Sequence, residues 1–351
     1  MGSTGIPRPP HSSPQHRLSG RPAGVYYYSR RKRRLARLKI WFLSFLLICS
    51  LLFIGFLHAP FQPFVSLRNL WVTTAMTTMS HQYLATWFFS DAEIQTIMDK
   101  NEAKSLGNSN PASLSLPAPK PKKENNGIKL IDISQKGFKG YLLEVDNPAL
   151  VQVAATGHLG EWGEKAEDIA KETGAVAVIN GGEFDDPKGD GNGGTPLGIL
   201  ISDGHTLYKG SGPLYDIIGL NRNNALVLGR YTWNEIKQLD LRDAVTFTPF
   251  LVVDGKPAIT QGDGGWGIAP RTAIGQTRDG KILMLVIDGR QIGSIGATLK
   301  DVQDIMLQYG AYNVGNLDGG ASSVLYYKGR IVNHPSSPYG ERYVPSFFIV
   351  K

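Results

Sequence analysis

Asn316-Leu317-Asp318-Gly319-Gly320-Ala321-Ser322-Ser323 is the stretch around which this chain is organised. A short apolar run, Ala311 to Leu317, ends there in a carboxylate, two glycines and two hydroxyls. A buried strand running into Asp-Gly-Gly delivers an acid to a sheet edge. Gly319 and Gly320 lack Cβ atoms, so the backbone can turn sharply and a ligand can approach it closely. Ser322 and Ser323 offer donors and acceptors where the chain re-enters a strand. Taken alone, the octapeptide favours a tight turn whose Asp caps its own backbone.

Two upstream junctions repeat the pattern and change that balance. One is Val178-Ile179-Asn180-Gly181-Gly182-Glu183-Phe184, the other Val286-Ile287-Asp288-Gly289-Arg290. Each is an apolar strand followed by Asn or Asp, then glycine. Three such ends feeding polar side chains forward predict the lining of one pocket. Arg271, just before the apolar run Thr272–Gln276, and Arg290 add fork-shaped donors suited to a phosphate. Either arginine alone reads as well as a surface ion pair.

The charge is divided. Residues 1–39 hold ten Lys/Arg and no Asp or Glu, so of 37 basic residues 27 remain against 30 acidic, a net −3 for residues 40–351. The basic character belongs to one tail, which argues against a nucleic-acid partner. The single cysteine, Cys49, excludes both an intrachain disulfide and cysteine-ligated zinc. HExxH, Walker A and GxSxG motifs are all missing from the sequence, and neither cofactor nor metal is expected.

Residues 1–39 read as a disordered basic cytoplasmic tail. Arg30-Arg31-Lys32-Arg33-Arg34 precedes an uninterrupted apolar run of eighteen residues, Ile40 to Leu57. At about 1.5 Å per residue this roughly matches the bilayer hydrocarbon. The flanking cations predict a single-pass membrane anchor over 40–57, cytoplasmic at its N-terminus, with everything after it outside. Residues 58–102 read as a juxtamembrane, interfacial helical segment. Residues 69–89 are nearly charge-free, but five threonines, His81 and Gln82 make a poor span. A helix in the headgroup region, anchored by Trp71, Tyr83 and Trp87, fits better. Ser90 and Glu93 predict a capping box. Residues 103–126 read as a Pro/Lys/Asn-rich linker, and 127–351 as the main domain.

That domain shows many short strands and two clear helices, Glu161–Thr173 and one capped by Thr298. Its fold class is predicted as α+β: a mixed, mostly antiparallel sheet with few helices, behind one N-terminal transmembrane helix. Asp185-Asp186-Pro-Lys-Gly-Asp190-Gly-Asn192 has calcium-type oxygens but lacks the terminal Glu of an EF-hand, and reads as a solvated loop. Gly262–Gly267 reads as a mobile loop whose Trp266 could stack on a sugar ring or serve as the turn's packing aromatic.

Seven elements resemble the phosphodiester glycosidase family. They are Asn180-Gly-Gly-x-Phe184, Thr195-Pro-Leu-Gly198, Arg271-Thr-Ala-Ile-Gly275, Asp288-Gly-Arg290, Gly296-Ala-Thr-Leu299, Asn316-Leu-Asp-Gly-Gly320 and Glu341-Arg-Tyr-Val344. They fall in the family's order over roughly residues 128–351. The resemblance implies hydrolysis of the bond between a sugar anomeric carbon and a phosphodiester oxygen. Glu183 stands where the family pattern places a small or aromatic residue, and is assigned no catalytic role.

Glycoside cleavage ordinarily needs two carboxyl groups. A departing phosphate monoester, with a second pKa near 6, needs less help from a proton. An arginine clamp can take over much of that task. Asp318 is therefore the first candidate catalytic carboxylate and Asp288 the second, with Arg271 on the leaving group. Asn180, Gly181, Gly182, Arg290, Gly319, Gly320, Ser322 and Ser323 are the candidate substrate-binding positions. The expected partners are a glycan or sugar-phosphate substrate of the cell envelope or exopolysaccharide, and the membrane through residues 40–57. The alternative is a non-catalytic binder of phosphate-bearing polysaccharide.

Overall fold

The computed structural model describes residues 1–2, 23–78, 80–116, 127–186 and 192–351. The chain divides into two compact units, Met1–Ala59 and Pro60–Lys351. Most of the tail expected to be disordered, residues 3–22, and the linker segment 117–126 lie outside the described residues, as does 187–191 of the Asp185–Asn192 loop.

Among the described residues the first unit holds one helix, Ala23–Leu57, so residues 23–39, read as disordered tail, are helical. The helix's stretch Lys32–Leu57, which holds an 18-residue window of mean hydropathy 2.6, is long and apolar enough to cross a membrane or to serve as a signal sequence.

The second unit is α+β. Among the described residues its strands form three sheets, of seven, five and five strands. The large sheet runs Ile128–Asp132, Gly140–Val145, Ile282–Ile287, Arg271–Thr277, Ala311–Leu317, Phe250–Val253, Lys256–Pro257 in spatial order. The second runs Arg330–Ile331, Leu325–Tyr327, Ala177–Asn180, Ser346–Val350, Val151–Ala155. The third runs His205–Lys209, Ile199–Ser202, Leu241–Thr246, Tyr215–Asn221, Leu226–Tyr231. Every ladder is antiparallel, and parallel pairing is confined to one isolated bridge, Glu102 with Gly264.

One core joins all three sheets. Ile274 and Met284 of the first, Ile179 and Phe348 of the second, and Ile218 and Val245 of the third belong to a single apolar cluster. The helix Leu299–Gln308 covers the other face of the large sheet through Val302 and Met306. Strand Ile282–Ile287 is therefore buried at every position, which is why it reads as an unbroken apolar run. Thr298 caps that helix as expected, with Asp301 completing the box.

Three expectations change. The helix placed at Glu161–Thr173 begins at Ala166, because Glu164 pairs by backbone with Val344; Gly174, left-handed at φ 68°, ends it. The run Ala244–Val253 is two strands in two sheets. Pro249 has no N–H for a ladder, and the chain crosses between sheets there. Residues 103–116, read as linker, are packed. Ser109 exchanges hydrogen bonds with Leu228 on the edge strand of the third sheet, and Ser115 N donates to Arg278 O at 2.8 Å. Ser and Asn side chains cover a sheet edge while only the scattered Ala103, Leu106 and Leu114 meet the core, so composition alone reads as tether.

Residues 60–102 contribute the helices Phe64–Met76, Tyr83–Thr86 and Asp91–Asn101. Ser90 and Glu93 form the expected capping box. The Trp71 indole N–H donates to Leu84 O at 2.8 Å, tying the first two helices together.

Candidate functional site

Strand ends Asn180, Thr272 and Leu317 converge because their strands are neighbours across two sheets. Asn180 is fully buried. Its Nδ2 donates to Asp318 O at 2.6 Å, while its Oδ1 accepts from Thr272 Oγ1 at 2.8 Å and from Val324 N at 3.2 Å. The expected sugar-binding amide is therefore engaged with the protein, and acts as a clamp on three segments. Asp318 N donates to Gly181 O, closing the same junction from the other side. Gly181 and Gly182 are required sterically. A Cβ on Gly181 would stand 2.6 Å from Ser346 Oγ, and one on Gly182 2.7 Å from Thr246 O.

The clamp fixes Asp318 half-buried, with its carboxyl Oδ2 shielded from solvent. Burial pushes its pKa up to about 7. The Ser322 hydroxyl and the Gly319 amide pull it back down, and the charge of Glu183 pushes it further up. Asp318 Oδ2 and the buried Ser322 and Ser323 hydroxyl oxygens complete no hydrogen bond with the geometry of one. Glu183 is raised by burial and by Asp216. The charge of a second carboxylate, exposed on the turn after Asn180, thus reaches Asp318, and the sequence reading gave it no role. Its signal was position: three residues after Asn180, on the turn that must follow that clamp.

Arg290 occupies the opposite edge of the Asp318 turn. It is exposed, with a left-handed backbone at φ 59°. Its guanidinium rests against Gly320, where a Cβ would stand 3.4 Å from Nη1 and 3.5 Å from Nη2. Among the described residues that guanidinium has no ion pair or hydrogen bond. An exposed, unpaired fork beside a glycine turn can receive a tetrahedral oxyanion.

Two expected site residues are turned to other work. Arg271 is 3% exposed, and its Nε donates to Ala297 O at 3.0 Å. Its Nη2 donates to Trp266 O at 2.8 Å and to Gly267 O at 2.7 Å. It is a brace for the loop before Pro270 rather than a free phosphate clamp, and burial lowers its pKa to about 10. The Asp288 carboxylate is 2% exposed and accepts from Asn333 Nδ2 at 2.9 Å and from His334 N. Asn333 in turn holds Leu325 N and Ser323 O. Asp288 thus organises the return of the chain from the Asp318 turn. The second junction reaches the site through Arg290, not through its acid.

Asp186, of the loop read as solvated, is ion-paired with Arg342, which also lies 4.9 Å over the Phe184 ring. No cluster of three metal-type ligands occurs among the described residues.

Comparison with known proteins bears on this arrangement. Over 188 residues the chain is 31% identical to the SPbeta prophage-derived uncharacterized protein YomE of Bacillus subtilis, covering 49% of this chain and 27% of that protein. It is 26% identical to the bovine N-acetylglucosamine-1-phosphodiester alpha-N-acetylglucosaminidase over 187 residues, 48% of this chain and 34% of the relative. The chain thus spans about a third or less of the length of these curated relatives. The catalytic domain of the zebrafish N-acetylglucosamine-1-phosphodiester alpha-N-acetylglucosaminidase, auto-inhibited by pro-peptide, shares the fold. Its TM-score is 0.53 at 24% identity, covering 65% of this chain and 85% of that one. The phosphodiester glycosidase family model matches residues 173–351, from the end of the helix before Asn180 to the last strand. All three glycine junctions fall inside that match, and the chain belongs to the phosphodiester glycosidase family.

Proposed function

We propose that the protein hydrolyses the glycosidic bond of a sugar-1-phosphodiester, acting on glycans of the cell envelope or exopolysaccharide. The observation that carries this reading is the pairing, across one glycine turn, of a half-buried carboxyl at Asp318 with the unpaired guanidinium of Arg290. The first suits an anomeric carbon and the second a phosphate. The names of the bovine and zebrafish relatives specify a sugar-1-phosphodiester, which supports the same class.

Water attacks the anomeric carbon and gives its proton to the Asp318 carboxylate. The C1–O bond breaks with its electron pair on the phosphate oxygen. Arg290, with the Ser322 and Ser323 hydroxyls, stabilises the charge that develops there. Asn180 acts on Asp318 and never on the sugar. Cations packed before residue 40 and the apolar run behind them support an N-terminus in the cytoplasm and a domain outside.

The test is incubation of the full chain with a panel of sugar-1-phosphodiesters, nucleotide sugars included, in 18O-labelled water. Free reducing sugar carrying the label is expected. Label in the phosphate overturns glycosidic cleavage. A wild-type protein that binds the panel without turnover is the polysaccharide binder instead.

A further inference from the structure

The threonines that spoil residues 69–89 as a membrane span have partners. Thr73 is fully buried, and its hydroxyl donates to Asp263 Oδ2 at 2.5 Å, across 190 positions of sequence. Thr74 Oγ1 accepts from Ile268 N at 3.0 Å, and Thr77 Oγ1 donates to Trp266 O at 3.1 Å. One face of the helix Phe64–Met76 thus addresses a single loop.

That loop borders the site. The Asp263 carboxylate gathers Gly265 N and Gly267 N, each at 3.0 Å. Gly267 packs so closely on the helix that a Cβ would stand 2.2 Å from Thr74 Cα. Arg271 holds the same loop by the carbonyls of Trp266 and Gly267. Pro270 O, immediately before it, accepts from Gly320 N at 3.0 Å. Gly320 is the seat of the Arg290 guanidinium.

We propose that Thr73 and Asp263 are positioning residues of the active site, and that the juxtamembrane helix Phe64–Met76 is an integral brace of its phosphate arm. The helix fixes the loop, the loop fixes Arg271 and Pro270, and these hold the Gly319–Gly320 turn beneath Arg290. The phosphate part of this inference rests on the function proposed above; the mechanical part does not. Three threonines are needed because three polar groups of the loop face a helix that could not otherwise satisfy them.

The test uses the full chain in nanodiscs, as wild type, Thr73→Val and Thr73→Ser. Two quantities are read: hydrogen–deuterium exchange of peptides over 263–268 and 318–323, and affinity for inorganic phosphate. Valine keeps the shape and removes the donor. Exchange should rise in both peptides, and phosphate affinity should fall about tenfold, while serine keeps both near wild type. Should Thr73→Val fail to fold, Thr77→Val, which removes the more exposed contact, is expected to show the same pattern more weakly. Loosening confined to 263–268, or a serine variant as impaired as the valine one, overturns the proposal. A wild type that ignores phosphate, yet loosens at 318–323 in Thr73→Val, sinks the phosphate reading of the site and leaves the brace standing.

Discussion

The side chain of Asn180 donates to the backbone carbonyl of Asp318 at 2.6 Å, joining two strand ends 138 positions apart. The bond is made inside a fully buried amide that also serves Thr272 and Val324. Asn180→Ala removes three hydrogen bonds and leaves buried groups unsatisfied. A loss of roughly 2–4 kcal/mol is expected from groups of this kind. Chemical denaturation should show it as a lowered midpoint with an unchanged slope. A variant of wild-type stability would remove Asn180 from the structural account and return it to the list of sugar-binding groups.

Asp318→Asn separates chemistry from folding. Turnover of a sugar phosphodiester should fall about 10²–10⁴-fold, as for loss of a positioned acid or base. Stability should move the other way. Burial raises the folded pKa from 3.8 to about 7, so the native state holds a proton that the unfolded chain releases. The wild type therefore loses stability as pH rises from about 4 to about 7, and the deficit persists above. Asparagine carries no such penalty. Melting curves should show the variant more stable than wild type at pH 8, by on the order of a few kcal/mol, with the gap closing toward pH 4.

Burial is the main cause of the raised Asp318 pKa, and Glu183 adds to it. Its negative charge holds the Asp318 pKa up, so Glu183→Gln should let that pKa fall. If Asp318 accepts the proton of water it must be ionised, so kcat/KM should rise with pH through about 7 in the wild type. In the glutamine variant that limb should lie at lower pH. A limb unmoved, or moved upward, would show that the two carboxylates do not feel each other.

The parts of this site legible in the sequence were those written in local pattern. Apolar strand followed by Asx-Gly marks a strand end, and the three repeats fall on ends that meet through Asn180 with Asp318 and Arg290 with Gly320. What could not be read was the choice among like residues. Arg271 and Arg290 look equivalent in sequence, yet the carbonyls of Trp266, Gly267 and Ala297 consume one and leave the other. Asp288 and Asp318 likewise differ only in what Asn333 and His334 reach. Thr73 was read as a defect in a membrane segment because its partner, Asp263, is remote along the chain. The deciding contacts are made to loop carbonyls and to groups remote along the chain, and periodicity carries no information about either.

The contrast between the two arginines gives the last prediction. Arg290→Gln removes a guanidinium with no protein partner, so folding should be unchanged within about 0.5 kcal/mol, as for surface positions. Binding should suffer instead. A charge-assisted hydrogen bond is worth roughly 1.5–3 kcal/mol, so KM for a phosphodiester should rise about tenfold to a hundredfold. Arg290→Lys, which keeps charge but loses the fork, should recover only part of this. Arg271→Gln should reverse the pattern. It strips buried carbonyls at 266, 267 and 297 of their donors and should lower the melting temperature before any kinetic effect is resolved. Equal kinetic losses at wild-type stability for both variants would mean that Arg271 reaches the phosphate directly, and that the brace described here is incidental.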